Sequence, residues 1–364
     1  MTNKLQTLDT IGSGSYAADE VCFLLKAVNL ATTDVAEKEY LIQTKKKHYS
    51  EMISLEQPPS AAHLELYNQA LEQHSQRMAE GVQRLALGIS QQLPQDPIIL
   101  LSLVRAGLPL GVLLRRALLS LGREAIHYGI SIIRDRGIDQ VALNAVIEQH
   151  GADNLLFVDG WTGKGAIATE LKTCLAQHPH FNSAPKLVVL ADPCGKAWMA
   201  ASAEDWLIPS GILGATVSGL VSRSIWPTES GVHGCVFYDE LADYDVSQAF
   251  IEQLDALRLT LGNLEACQPW LPAQKTFLQE RANSVVSQLA EQFAVTNLNR
   301  IKPGIAEATR AVLRRVPEAV FVQNKQDTDV QLLVYLAEKN GVTVQEIGSL
   351  LGPYSALTLI RSLG

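Results

Sequence analysis

Four apolar runs constrain the fold of this chain more than any other feature of its sequence. They are IILLSLV (98–104), AIHYGISII (125–133), NLLFVD (154–159) and KLVVLAD (186–192). A helical segment, LGVLLRRALLSL (110–121), separates the first two. Near-continuous apolar strands are buried on both faces of a sheet, and helices between successive strands make that sheet parallel. The sequence therefore predicts an α/β core.

Helical sequence flanks this core on both sides. Residues 16 to about 95 are predicted to be helical with a break at Pro58 and Pro59, and residues 246–297 are rich in Gln, Leu and Ala. The last segment is predicted to alternate helix, strand, helix, strand and helix, with the final helix over 353–363. We therefore predict a helical N-terminal or hood region (1–95), the α/β core (96–245), a helical connector (246–297) and a small C-terminal domain (298–364).

Polar segments with glycine follow three of the predicted strands. They are Arg105-Ala106-Gly107, Arg134-Asp135-Arg136-Gly137 and Asp159 to Gly165 (DGWTGKG). Ligands of parallel sheets bind at the carboxyl ends of the strands, and the forked donors of arginine match phosphate oxygens. We therefore expect these segments to share one ligand site, although each would also fit an ordinary connection.

The third segment has the parts of an anion cradle. Gly163 and Gly165 allow close approach of backbone N–H groups, and a helix is predicted to start near Ala166. Asp159 is an acceptor suited to sugar hydroxyls, so the local prediction is a sugar-phosphate site. A nucleotide P-loop is excluded because Val158 and Gly165 stand where that motif has Gly and Ser or Thr.

Two of these segments resemble phosphoribosyltransferases. SLVRAGLPLGVLL (102–114) is similar to the pyrophosphate loop of the type I enzymes, and FVDGWTGKGAI (157–167) resembles a shortened phosphoribosyl-pyrophosphate signature. The whole chain, including HYSEM (48–52), DPCGKAW (192–198) and GVHGCVFYDE (231–240), resembles the phosphoribosyltransferase-like proteins of bacterial tellurite-resistance stress operons. A Pelota-like RNA-binding domain often follows at the C-terminus of those proteins.

This resemblance implies a fold, an activity and residue roles. The fold would be a type I phosphoribosyltransferase-like parallel sheet with a small αβα Pelota-like domain. The activity would transfer phosphoribose from phosphoribosyl pyrophosphate to a base-like small molecule, with Mg²⁺ held mainly by the substrate. Arg105 and Asp159 would be catalytic, and the substrate would be bound by Ala106, Gly107, Thr162, Gly163, Lys164, Gly165, Arg134 and Arg136. The signature has two adjacent acidic residues, and Gly160 stands at the position of the second one. A protein that binds the substrate without catalysing the reaction is therefore an open alternative.

The C-terminal segment differs in charge from the rest of the chain. Residues 298–364 contain 8 Lys and Arg against 6 Asp and Glu, whereas the whole chain has a net charge of −8. GIAEATR (304–310) resembles the helix start of Pelota-type RNA binders. We therefore expect contacts to structured RNA, mainly to its backbone, through Arg300, Lys302, Arg310, Arg314 and Arg315. A solvated basic helix in a dimerisation domain is the alternative, and a homodimer is left open.

A second enzyme class competes with phosphoribosyl transfer. Related proteins are also labelled cysteine proteases, under the name StiP, and Cys194 and the run His233-Gly234-Cys235 supply a thiol and an imidazole. Buried cysteines more often serve as small apolar residues. A non-enzymatic RNA-binding stress protein is the third alternative.

Bulk properties favour a cytoplasmic protein without a membrane span. No apolar run approaches the roughly 20 residues that cross a bilayer, and the first ten residues, MTNKLQTLDT, lack the apolar stretch of a signal peptide. The five cysteines show no CxxC spacing, which fits reduced thiols and predicts no metal site.

Overall fold

The helices and strands are taken from a computed structural model that describes residues 4–227 and 229–362. The helices are α1 (Lys4–Thr7), α2 (Val35–Gln43), α3 (Ala61–Gln92), α4 (Leu108–Ser120), α5 (Gln140–His150), α6 (Ala166–Leu175), α7 (Ser247–Leu259), α8 (Pro272–Gln292), α9 (Ile305–Arg314) and α10 (Gln331–Lys339). The strands are β1 (Cys22–Phe23), β2 (Lys26–Ala27), β3 (Ile98–Leu103), β4 (Ala125–Ile130), β5 (Ile132–Ile133), β6 (Gly137–Ile138), β7 (Leu155–Val158), β8 (Leu187–Ala191), β9 (Met199–Ser202), β10 (Gly234–Cys235), β11 (Ile301–Pro303), β12 (Pro317–Val322), β13 (Thr343–Glu346) and β14 (Ala356–Ile360).

A six-stranded parallel sheet lies at the centre of the larger unit, in the order β1-β4-β3-β7-β8-β9. Every residue of β3, β7 and β8 is buried, as expected for apolar strands covered on both faces. The predicted α/β class with a parallel sheet and a small C-terminal domain is confirmed. The finer prediction, a phosphoribosyltransferase-type sheet, is not shown.

Helices cover both faces of this sheet. α3, α4 and α7 pack together and bury their apolar residues against one face. α5 and α6 form the core on the opposite face. The two cores explain why the strand sequences are apolar throughout instead of alternating with polar residues.

The N-terminal segment differs from the prediction that it is helical from residue 16. Residues 16–34 contain no helix and instead form β1 and β2. β1 joins the edge of the parallel sheet, with Phe23 paired to Gly129, where an added Cβ would lie 2.6 Å from the Phe23 ring. The apolar run 21–25 was wrongly predicted because consecutive apolar residues suit a buried strand as well as a buried helix.

A second sheet forms the C-terminal domain, in the order β11-β14-β12-β13. β14 is antiparallel to both of its neighbours, and all five of its residues are buried. The predicted final helix over 353–363 is therefore wrong as far as residue 362; residue 363 lies outside the described residues. A short apolar segment preceded by Gly352 and Pro353 fits a strand paired on both sides better than a helix.

The two units are joined by a partly buried carboxylate, that of Asp205. Both Asp205 side-chain oxygens accept from the backbone N–H of Ile305 at 3.1 Å, at the start of α9, and one also accepts from Ser355 N at 2.9 Å. Burial raises the pKa of Asp205 to about 7 despite these hydrogen bonds. Apolar residues of α9 extend the core of the larger unit, so the C-terminal domain is packed against it.

Within residues 4–227 and 229–362, none of the helices combines the length and the apolar character that a bilayer crossing requires. The cytoplasmic location stays a prediction.

Candidate functional site

The loops that follow β3 and β7 meet at one rim of the parallel sheet. The strands are neighbours, with Ser102 paired to Val158. Gly107, at the start of α4, lies against the end of β7, where an added Cβ would come 2.2 Å from the Val158 carbonyl oxygen. Gly165 adopts a φ of 79° directly before α6, a conformation that favours glycine. Small residues therefore hold the two loops together.

Both loops line a cavity of about 330 Å³. The wall contains eight of the residues predicted to bind substrate or to catalyse: Arg105, Ala106, Arg134, Asp159, Thr162, Gly163, Lys164 and Gly165. The structure thus brings all three predicted segments to one place.

The C-terminal domain forms the facing wall of this cavity. It contributes Lys302, Glu307, Arg310, Arg314 and Arg315 from β11, from α9 and from the residue after it. The two walls are in close contact, because a Cβ added at position 163 would lie 2.9 Å from the Pro303 carbonyl oxygen. The cavity therefore belongs to both domains.

Positive charge dominates the cavity. Nine cationic residues line it against two acidic ones, Asp159 and Glu307. The nine are Lys38, Arg105, Arg134, Lys164, Arg223, Lys302, Arg310, Arg314 and Arg315. The concentration contrasts with the chain as a whole, whose net charge is −8.

Arg105 is the best-paired of these cations. Its guanidinium donates to both carboxylate oxygens of Glu56 at 3.0 Å and to the Val221 carbonyl at 3.0 Å. Burial alone would raise the pKa of Glu56, but Arg105 and Arg314 lower it to about 2. Glu56 is therefore ionised at neutral pH and fixes Arg105 in the wall.

Arg310 and Lys302 differ from Arg105 in lacking such partners. Among the described residues, neither side chain makes a hydrogen bond or an ion pair. The Arg310 guanidinium lies over the Trp161 ring, 4.8 Å from its centroid. Trp161 therefore packs against an arginine.

Asp159 faces these cations from the loop after β7. Its carboxylate accepts from the adjacent Gly160 N at 2.8 Å. Burial raises the pKa of Asp159 to about 7, and Arg310 opposes part of that rise. A carboxyl group that titrates near neutrality can hold or release a proton at physiological pH.

Cys194 lies directly behind the cavity wall. Its thiol donates to Thr162 Oγ1 at 3.2 Å, and the Thr162 hydroxyl donates to Asp192 Oδ1 at 2.5 Å. Burial and the neighbouring Asp192 raise the pKa of Cys194 far above its usual range. The thiol is therefore protonated in this arrangement, and it has no exposure that a substrate could use.

Cys235 and His233 do not form a catalytic pair here. Burial raises the pKa of Cys235 to about 12, and the residue belongs to the apolar core. The His233 ring is hydrogen-bonded through Nδ1 to the Ser131 hydroxyl at 2.6 Å. All five cysteines have reduced thiols, and the cavity wall, among the described residues, includes no cysteine or histidine.

Comparison with known proteins decides the family. Residues 14–255 match the family model described as "Tellurite-like stress resistance cysteine protease StiP". The chain is also 49% identical over 365 aligned positions to "Cysteine protease StiP" of Acinetobacter baylyi (strain ATCC 33305 / BD413 / ADP1), covering 97% of this chain and 95% of that protein. The chain belongs to the StiP family.

Two further similarities were found. Residues 280–362 match the PELOTA RNA binding domain. A crystal structure of an archaeal alanine:glyoxylate aminotransferase aligns over 91% of each chain, with 12% identity and a TM-score of 0.23. A TM-score that low supports no conclusion about the fold or the function.

The StiP assignment corrects the prediction of a phosphoribosyltransferase. The family and the 49% identical relative both carry the name of a cysteine protease, the alternative that the sequence left open. The resemblance to tellurite-resistance stress proteins is confirmed, whereas the transferase activity predicted from the RAGLP and DGWTGKG segments is wrong. The Mg²⁺ ion belonged to that prediction and stays untested; the described residues contain no group of three or more His, Cys, Asp and Glu that could hold a metal.

The match to the Pelota domain agrees with the small domain predicted at the C-terminus of this StiP family member. Four of the five residues predicted to bind RNA, however, face the cavity: Lys302, Arg310, Arg314 and Arg315. Arg300 is paired instead with Glu318 at 2.7 Å. RNA binding through these side chains stays a prediction, and it would compete with docking of the domain.

Sequence reasoning placed two residues at the site that lie elsewhere and missed others. Gly107 packs behind the wall, and Arg136 is paired with Glu51 and covers the Trp226 ring. Lys38 and Arg223 line the cavity without having been predicted. No motif surrounds them in the sequence and neither follows a predicted strand, so the sequence carried no local signal for them.

Proposed function

We propose that this chain is a cysteine peptidase of the StiP type that acts in resistance to stress. One observation carries the proposal: the chain is 49% identical, over 97% of its length, to a protein named "Cysteine protease StiP". Identity at that level along nearly the whole chain supports a shared activity better than the phosphate-loop resemblance, which rested on two short segments.

Cys194 is the thiol that we assign to the nucleophile. Its sulfur contacts Thr162, which lines the cavity, whereas Cys235 lies in the apolar core. A thiolate would attack a peptide carbonyl, release the amine with a proton and leave an acyl-enzyme for water to hydrolyse. Burial and then Asp192 raise the pKa of the Cys194 thiol, and the side chain is 2% exposed, so this chemistry would require a rearrangement that exposes the sulfur and brings a base to it.

The test is hydrolysis of fluorescently labelled casein by the full chain under reducing conditions. We expect cleavage by the parent, loss of cleavage in Cys194→Ala, and unchanged cleavage in Cys267→Ala, which lies beside α3 away from the cavity. Retained activity in Cys194→Ala with loss in Cys235→Ala would move the nucleophile to Cys235. No hydrolysis of casein or of a mixed peptide library by the parent would overturn the peptidase proposal.

A further inference from the structure

The cavity between the two domains contains positive charge that the chain itself does not neutralise. Arg105 and Arg314 share the carboxylate of Glu56, and Arg315 is paired with Glu39 behind the wall. The remaining wall cations bond to neutral groups, to an exposed aspartate or to nothing. Like charges gathered in a partly buried space destabilise a fold unless a ligand compensates them.

Among the described residues, Arg310 and Lys302 are cations that make no hydrogen bond and no ion pair, although both feel the charge of Glu307. Arg310 lies against Trp161, so its guanidinium is oriented while its donors stay unused. Arginine and lysine in partly buried positions are normally paired. Their unused donors therefore indicate an anionic ligand.

The unpaired cations belong to two groups inside the cavity. Lys302 lies among Lys164, Arg134 and Arg315, whose charges, after burial, lower the pKa of Lys302 to about 7. The second group surrounds Arg310.

That second group contains Arg105, Arg310 and Arg314. Burial, and then the charge of Arg105, lower the pKa of Arg314 to about 10, and Arg310 adds to this effect. Glu307 interacts with both Arg310 and Lys302 and so lies between the two groups.

We propose that this cavity binds a small, multiply charged anion that carries at least two separated phosphate or carboxylate groups. One anionic group would contact Lys302 and Lys164 beside the start of α6, whose first residues Ala166 and Ile167 line the cavity and whose first N–H groups have no acceptor within the helix. The other would contact the guanidinium of Arg310, whose fork matches either group. The proposal rests on the cations of the wall and not on the peptidase activity, since no thiol is among the described residues that line the cavity.

The size and position of the site favour a small molecule over a macromolecule. The cavity measures about 330 Å³ and has walls from both domains. α9 approaches the loop at Gly163 closely, since a Cβ added there would lie 2.9 Å from Glu307 Cγ, and this leaves a space suited to a small molecule. A small anion can occupy the docked arrangement and would strengthen it by neutralising both walls.

Proton uptake should accompany binding. Lys302 faces Glu307, Arg315, Lys164, Arg134 and Glu39. With a pKa of about 7 it is largely uncharged at pH 8, and a bound anion would raise that pKa and draw a proton in. Asp159, with a pKa of about 7, also gains a proton more readily beside an anion. Affinity should therefore be higher at pH 6.5 than at pH 8.

The experiment is isothermal titration calorimetry of the full chain at low ionic strength with tripolyphosphate, citrate and inorganic phosphate. We expect one site per chain for tripolyphosphate, for citrate or for both, and weaker binding of inorganic phosphate. Which of the first two binds more tightly distinguishes a phosphate ligand from a carboxylate ligand. Arg310→Gln should weaken binding by about tenfold to hundredfold, the effect of removing charge-assisted hydrogen bonds. Arg281→Gln, on α8 beside Phe277, is the matched control and should bind like the parent.

A second readout separates a ligand-binding role of Arg310 from a structural one. Arg310→Gln removes repulsion from Arg105 and Arg314 and gives up the contact with Trp161 without breaking a hydrogen bond or ion pair, so without ligand it should melt close to the parent's Tm. Lys302→Gln is an independent variant with the same expected loss of affinity. The proposal is overturned if no probe binds the parent, or if both variants bind as the parent does. A lower Tm of Arg310→Gln together with parent-like binding by Lys302→Gln would also overturn it.

Discussion

Asp159 is a carboxyl group that the folded chain holds in its charged form at a cost in free energy. Burial raises its folded-state pKa from 3.8 to about 7. The folded state therefore binds a proton more readily than the unfolded state, and stability falls as the pH rises from about 4 through about 7. At pH 8 the full free-energy cost of keeping Asp159 ionised in the folded state is present.

Asp159→Asn should for this reason stabilise the chain at alkaline pH. We expect a gain of about 1–3 kcal/mol at pH 8, less than the full pKa shift implies because the residue is partly exposed, and the gain should shrink toward pH 4. Urea denaturation at several pH values measures it, with the exposed Asp153→Asn as control. A variant less stable than the parent at pH 8 would show that the carboxylate makes stabilising contacts instead.

The sequence predicted the position of a site residue when that residue directly follows a predicted strand. Asp159 and Arg105 directly follow apolar runs, so the topology of a parallel sheet placed them at one rim. Glu56 and Arg223 come from irregular segments, and nothing local indicates that they would pair with or lie beside Arg105. Their positions depend on how distant segments pack, which a local pattern does not record.

Among the structural elements, α4 and β7 make a contact that should tolerate little added volume. A Cβ on residue 107 would lie 2.2 Å from the Val158 carbonyl oxygen, which belongs to the sheet backbone and cannot move easily. We expect Gly107→Ala to destabilise the chain by about 1–3 kcal/mol, as overpacking does. Gly262→Ala, where nothing lies within 4 Å, is the matched control. Equal urea midpoints for the two variants would contradict the expected clash.

Strands and helices were predicted correctly when both the length and the apolar character of a segment fitted only one type of element. β3, β4, β7 and β8 come from apolar runs that are too short to form helices, and these runs lie between segments that were predicted to be helical. β14 and β1 were wrongly predicted as helical because short apolar segments fit both structures. Their extended conformation comes from neighbours: β14 lies between β11 and β12, and β1 adds to the edge of β4.

At the scale of the whole molecule, Asp205 controls docking of the C-terminal domain. It accepts from Ile305 N and Ser355 N, so Asp205→Ala leaves buried N–H groups unpaired and should cost about 2–4 kcal/mol. Asp205→Asn keeps an acceptor oxygen without the charge and should cost less at pH 8, because the carboxyl has a raised pKa. Hydrogen–deuterium exchange of α9 and β14 measures how much the docking is weakened. Equal protection of these elements in Asp205→Ala and Asp205→Asn would argue against a role of Asp205 in docking.

Residues of both domains line the cavity, so neither domain alone could be inherited with a complete cavity. The StiP match ends at residue 255 and the Pelota match begins at residue 280, yet Arg105 and Arg310 face the same space. A recombination event between the two segments would separate the two walls and pass on no complete cavity. Selection on the cavity would therefore act on the covalent linkage of the two modules, and it would keep them together as one gene.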